Sequence, residues 1–306
     1  MKISWREVSD YLLIIVAACF WGGSAIFGKS LFRAGMSTGQ LMQVRSVMSA
    51  AVIAVILAVF ARQHFKIQLR DLWGLLLLAI PGLVVVNASY YQAVKMMPVA
   101  IAVFIQFCAP VLIFLYGWLT KREQSSAAKL TALALSIFGT FLMVQIQNQG
   151  FNQLPAFGLF CAFLAMVSYA FYLLVSHRLA EKHSALTLVL YGYSLAGLFW
   201  LFAVNPVTTA NFMTSKQLWI PSLLFAVFST VIPFTLFLTG LARVSPTGAS
   251  IASGSETIIA SFFAFIFLGE TLAMSQIFGA VLILGAIILL ILSHPQTQQE
   301  PQDIPN

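Results

Sequence analysis

Seven side chains carry the chemistry that this sequence offers: Trp21, Arg45, Tyr90, Gln106, Tyr169, Ser253 and Glu256. Each is polar, charged or amphipathic, and each is set inside a long apolar run. Glu256 is a lone carboxyl with Ala249, Ala252, Ser253 and Ala260 on the same helical face, where small residues admit a close neighbour. It either receives a ligand amine or a proton, or it bonds to a backbone carbonyl and joins two helices. Arg45 offers a planar fork that matches a carboxylate or phosphate bidentately; its other reading is a guanidinium that snorkels to headgroups. Trp21, Tyr90 and Tyr169, with Tyr91, Tyr172, Tyr191 and Tyr193, supply rings for stacking and cation–π contact with a flat or cationic ligand, or for packing. Gln106 and Ser253, with Asn87 and Gln92, either recognise a substrate or hydrogen-bond between helices.

Other chemistries lack their residues. Cys19, Cys108 and Cys161 are odd in number and lie in apolar runs, which fits packing better than a disulfide framework or a thiolate site. His177 and His183 have only Glu181 near them, so they are expected to be solvated and no metal site is predicted. No Gly-x-x-x-x-Gly-Lys-Ser/Thr loop is present for ATP, and no His-Glu-x-x-His or Gly-x-Ser-x-Gly motif for hydrolysis. No cofactor is expected. The net charge of +7 is scattered between apolar runs, which argues for membrane topology and against a nucleic-acid partner.

The elements that position these residues follow from composition. Of 306 residues, 60% are apolar and 8% charged, against about a quarter charged in soluble domains. Mean hydropathy is +0.93. The solvent for most of this chain is therefore lipid. Apolar runs bounded by charge, Pro, Gly and Asn predict ten spans: 11–28, 39–61, 71–92, 98–119, 129–146, 156–176, 184–204, 218–239, 247–267 and 275–292. The fold class is an all-α integral membrane protein. The first run is long, lacks a small-x-small cleavage site and precedes more spans, so it reads as a span and not a signal peptide. The Gln- and Pro-rich stretch 294–306 is expected to be a disordered tail.

Lys and Arg, counted by alternate sides, number eleven on the side of the N-terminus and four (Lys29, Arg33, Lys95, Lys216) on the other, with Arg45 inside span two. Both termini are thus predicted to be cytoplasmic, in the inner membrane. Trp5, Trp73, Trp118, Trp200 and Trp219 fall near span ends, where indole favours the interface. Trp21 is the mid-span exception.

The chain also repeats itself. Ala93-Val-Lys-Met-Met-Pro-Val-Ala-Ile-Ala superposes on Gly240-Leu-Ala-Arg-Val-Ser-Pro-Thr-Gly-Ala, an offset of 240 − 93 = 147, which also brings Glu123 onto Glu270. One residue further, Trp21 meets Tyr169 and Arg45 meets Tyr193. Residues 1–147 and 148–293 are thus two five-span halves. An odd span count makes the second half enter the membrane from the opposite side, giving an inverted repeat.

These residues resemble the drug/metabolite transporter superfamily, in particular its ten-helix EamA-type carriers. The resemblance rests on Phe20-Trp-Gly-Gly-Ser-Ala-Ile-Phe-Gly-Lys, Arg45-Ser-Val-Met-Ser-Ala, Tyr90-Tyr-Gln-Ala through Ala109-Pro110 to Glu123, Leu241-Ala-Arg-Val-Ser-Pro-Thr-Gly-Ala-Ser, Glu256 and Phe267-Leu-Gly-Glu270. It covers nearly the whole chain. Two stretches depart from the pattern: Glu256-Thr257 replaces the usual Glu-Pro of span nine, and Lys121-Arg122-Glu123 the usual Leu-Gly-Glu. Without that proline, the resemblance does not by itself supply a break in span nine. What it implies is a basket of ten helices around a central cavity. Its expected function is alternating-access movement of a small metabolite, such as an amino acid or a related amphiphilic or aromatic compound, outward from the cell, with the seven residues above as the substrate site and protons as a candidate coupling ion. The competing classes are a membrane enzyme, an accessory scaffold subunit and a passive channel. An enzyme needs a compact acid/base or metal set that the sequence does not contain.

Overall fold

The computed structural model describes residues 5–145, 154–214, 216–268 and 271–293. Glu270, the junction of the two halves and the 294–306 tail lie outside the described residues. Among the described residues ten helical spans result: α1 Trp5–Arg33, α2 Thr38–Phe60, α3 Leu69–Met96, α4 Val99–Leu119, α5 Ala127–Met143, α6 Ala156–Ala180, α7 Ala185–Ala203, α8 Gln217–Leu241, α9 Pro246–Leu268 and α10 Met274–Ser293. Eight are long and apolar enough to cross a membrane, while α1 and α5 carry shorter apolar stretches, Val8–Gly23 and Ala127–Met143. No strand occurs among the described residues.

Serine starts four of these spans. Ser37, Ser126, Ser184 and Ser245 each accept a backbone N–H from three residues on, satisfying a donor that the first turn would leave orphaned. At the other end of α1, Gly35 takes φ +94°, a left-handed conformation that glycine adopts freely, and the chain turns into α2.

The packing obeys a two-fold relation between the halves. α1 packs on α8 and α9, and its counterpart α6 packs on α3 and α4. α2 meets α8 as α7 meets α3, while α2 with α7, α4 with α9 and α5 with α10 pair across the relation itself. The α5–α10 contact is built from small residues: a Cβ on Gly139 would come 2.8 Å from the Gly279 carbonyl, and Ala132 and Ala286 are fully buried. Backbones this close gain dispersion contacts that lipid cannot supply.

Four spans depart from straight α-helix, in repeat-related pairs. α3 has a π-turn at Leu78–Val84 around Pro81, and α8 has one at Val227–Val231, just before Pro233. α4 consists of Val99–Gln106 and Ala109–Leu119, and α9 of Pro246–Ser253 and Ser255–Leu268. The two interruptions are 254 − 107 = 147 residues apart, the offset of the repeat. In α4, Pro110 lacks the N–H that would bond the Gln106 carbonyl. In α9 the break forms without the proline whose absence from Glu256-Thr257 left it unsupplied. Instead, the hydroxyls of Ser253, Ser255 and Thr257 donate to the carbonyls of Ser250, Ala252 and Gly254 at 2.7, 2.7 and 2.8 Å. Three hydroxyls bonded three residues back tighten the turn and compete with the α-helical ladder.

Candidate functional site

Pro233 decides where Arg45 goes. Proline cannot donate to the carbonyl four residues earlier, so the π-turn of α8 leaves the Ser229 oxygen open deep in the membrane. Arg45 on α2 fills it: Nη2 donates to that carbonyl at 3.2 Å, Nε to Thr230 Oγ1 at 2.8 Å, and Nη1 to Asn87 Oδ1 at 3.2 Å. Asn87 in turn donates to the Leu83 carbonyl of the α3 π-turn at 2.6 Å. The rings of Phe225, Phe234 and Tyr193 lie 5.6, 5.8 and 6.0 Å from the guanidinium. Arg45 is 8% exposed, so it does not snorkel; it ties both π-turns together.

Beside it lies a cavity of about 470 Å³. Six of the seven residues singled out in the sequence line this cavity: Trp21, Arg45, Tyr90, Gln106, Tyr169 and Glu256. Trp21 stands edge-on to Phe234 at 5.1 Å, and Tyr90 edge-on to Tyr91 at 5.4 Å. Ser253, 1% exposed, lies one layer behind the wall. Its hydroxyl proton goes to the Ser250 carbonyl, so the 3.0 Å contact with Tyr169 has the tyrosine as donor. Ser253 therefore aims Tyr169 and does not itself meet the cavity.

Gln106 and Glu256 occupy the two breaks, Gln106 ending the first piece of α4 and Glu256 in the first turn of the second piece of α9. A helix start favours negative charge. Gly22 of α1 lets α9 approach, since a Cβ there would lie 3.2 Å from the Glu256 carbonyl. No ion pair joins Arg45 to Glu256, so the cavity presents a cation and an acid separately.

Phe225, Phe234 and Ser229 also line the cavity and were not anticipated, because each sits in an apolar run whose periodicity marks no face. Asn87, Tyr91 and Tyr172 join the lining. Tyr191 does not: its hydroxyl donates to the Phe65 carbonyl at 2.8 Å, at the end of the bundle where the N-terminus lies.

That end is sealed. Asp10 pairs with Arg243 at 3.1 Å, Glu123 with Lys129 at 3.2 Å, and Arg178 donates to Tyr116. A Glu123 oxygen accepts the Thr247 N–H at 3.4 Å. His177 and His183, expected to be solvated, belong to this seal, and so does His64: His177 Nδ1 lies 2.8 Å from the Leu241 carbonyl, His183 Nε2 3.5 Å from Asp71, and His64 Nδ1 2.7 Å from Ser184 Oγ. The loops fold back on the helix ends, which sequence spacing does not reveal. Among the described residues no group of three or more metal-ligating side chains forms. The cavity instead reaches the opposite end, where Phe32, Val94 and Val99 line it.

One family model matches this chain twice. It matches residues 8–145 and again 156–292, with the description EamA-like transporter family. The chain belongs to this family. Its similarity extends to an uncharacterized inner membrane transporter, YicL, of Salmonella typhimurium, 26% identical over 91% of this chain and 94% of that one. It is 25% identical to the threonine/homoserine exporter RhtA of Escherichia coli, over 90% of this chain and 88% of that one. A solved crystal structure, 19% identical, superposes with a TM-score of 0.74 over 93% of this chain and 97% of its own, which shows the shared fold. The protein is a multi-pass membrane transporter of the EamA type.

Proposed function

We propose that this transporter moves a small zwitterionic metabolite, an amino acid or a related amphiphilic compound, outward across the inner membrane by alternating access. The observation that carries the reading is the cavity itself: Arg45 for a carboxylate, Glu256 for an ammonium group, and an aromatic wall of Trp21, Tyr90 and Tyr169 for the body between them. Gln106 adds a hydrogen-bonding group from the other half, and Ser253 aims Tyr169. The name of the exporter RhtA supports both the substrate class and the direction. With both termini cytoplasmic, as the Lys/Arg asymmetry favours, the sealed end faces the cytoplasm and the cavity faces outward. Glu256 is then also the group that takes up and releases a coupling proton.

Counterflow in proteoliposomes tests this. Vesicles loaded with L-threonine or L-phenylalanine should take up the labelled amino acid, and Glu256→Gln should weaken counterflow, because the ammonium loses its anionic partner, while abolishing accumulation driven by a pH gradient, because the amide bonds but does not titrate. Absence of counterflow with a full amino-acid panel overturns the substrate class.

A further inference from the structure

The two breaks divide α4 and α9 into halves with different surroundings. On the sealed side, Ala109–Leu119 packs against Pro246–Ser253. On the open side, Val99–Gln106 packs on α3 and α6, while Ser255–Leu268 packs on α1, α5 and α10. The cavity lies between these open-side pieces. Val99, Val103 and Gln106 face it from α4, and Glu256, Thr257 and Ala260 from α9.

The 147-residue offset pairs each of these six with a residue on the sealed side. Val99, Val103 and Gln106 correspond to Pro246, Ser250 and Ser253; Glu256, Thr257 and Ala260 correspond to Ala109, Pro110 and Ile113. All six counterparts are buried: Ala109 and Ile113 fully, Ser250 and Ser253 to 1% exposure. These six side chains, which line the open cavity from α4 and α9, are thus the repeat mates of six buried on the sealed side.

An inverted repeat lets the halves exchange conformations, so a contact made by one set of mates becomes available to the other. We propose that Val99, Val103 and Gln106 dock on Glu256, Thr257 and Ala260 to close the cavity mouth in the opposite end state, and that Glu256 enters this latent seam only when a ligand cation or a proton neutralises it. The charge condition follows from the mates. Glu256 corresponds to Ala109, so the existing seam buries no carboxylate at this position, whereas the latent one would. An unpaired carboxylate is costly to bury. The other charged or titratable groups of the cavity are Arg45, Tyr90, Tyr91, Tyr169 and Tyr172, and Arg45 is bound to the π-turns. An empty, ionised carrier therefore stays open, and cargo or a proton licenses closure.

This inference rests on the alternating-access reading, and its test separates the two. Val103→Cys and Ala260→Cys are introduced together after Cys19, Cys108 and Cys161 are replaced by Ala, and the protein in proteoliposomes is treated with 1,2-phenylenedimaleimide. Cross-linked peptide is measured by mass spectrometry, and L-threonine and L-phenylalanine counterflow in parallel. The expected result is an intramolecular cross-link that stops counterflow. Normal counterflow without any cross-link, or cross-linked protein that still exchanges, overturns the seam and leaves the carrier reading standing. If untreated protein exchanges neither probe but cross-links, the seam stands and the substrate reading falls. The charge condition is read without any probe: Glu256→Gln should raise the cross-linking yield about tenfold by removing the charge that holds the mouth open. Glu256→Ala should do the same if the Gln variant expresses poorly. An unchanged yield in a folded variant overturns the charge condition.

Discussion

Arg45 has three acceptors, and two of them belong to a turn that exists because Pro233 cannot donate. Its removal leaves the Ser229 carbonyl, Thr230 and Asn87 without a cation at membrane depth. Hydrogen bonds to charged groups contribute about 1.5–3 kcal/mol each, and not additively. Arg45→Met should therefore lower the melting temperature in detergent markedly, and Arg45→Lys less so, since an ammonium reaches only part of the set. Equal melting temperatures for both would contradict the tie. The Tyr169–Ser253 pair gives a finer measurement. Tyr169→Phe and Ser253→Ala should each weaken amino-acid binding by a few fold, about 1 kcal/mol, and the double variant should be no worse than either alone. Additive losses would mean that Ser253 does not work through Tyr169. At this scale the sequence was informative about polarity: a charged or aromatic residue inside an apolar run stands out, and six of the seven line one cavity. Phe225 and Phe234 carried no such signal, because a phenylalanine facing a cavity and one facing lipid look alike in a run of apolar residues.

The spans were legible because hydropathy marks whatever lipid must surround, and every predicted run became a helix. Their ends were less so. α1 starts at Trp5 and ends at Arg33, beyond the expected 11–28, because a helix continues through polar residues once its backbone leaves the hydrocarbon. The break in α9 was illegible for a different reason: no proline announces it, and serine and threonine hydroxyls are common in helices that stay straight. At the turn on Gly254, the hydroxyls at 253, 255 and 257 are each bonded three residues back. Element packing makes its own prediction. Gly→Ala in a helix ordinarily gains up to about 1 kcal/mol. At Gly139 the new methyl would meet backbone, the Gly279 carbonyl at 2.8 Å, so Gly139→Ala should instead destabilise by about 1–3 kcal/mol. Thermal denaturation in detergent reads the sign, and a higher melting temperature would refute the close approach.

For the whole molecule, eleven basic residues on one side against four on the other favour the proposed orientation, with both termini cytoplasmic. Alkaline phosphatase fused after Ser293 should be inactive, and fused after Met213, between α7 and α8, active; the reverse pattern would turn the carrier over and make the sealed end the outer one. The α5–α10 contact has a separate consequence. Gly139 corresponds to Ala286 and Gly279 to Ala132, all four buried in the same interface, so exchanging the halves maps the contact onto itself. Under the alternating-access reading proposed above, it is the axle of the machine, the part expected to stay still while the rest turns about it. Damage to an axle shortens service life without altering the gearing: variants there should lose activity sooner in storage, while each surviving molecule turns over at its ordinary speed.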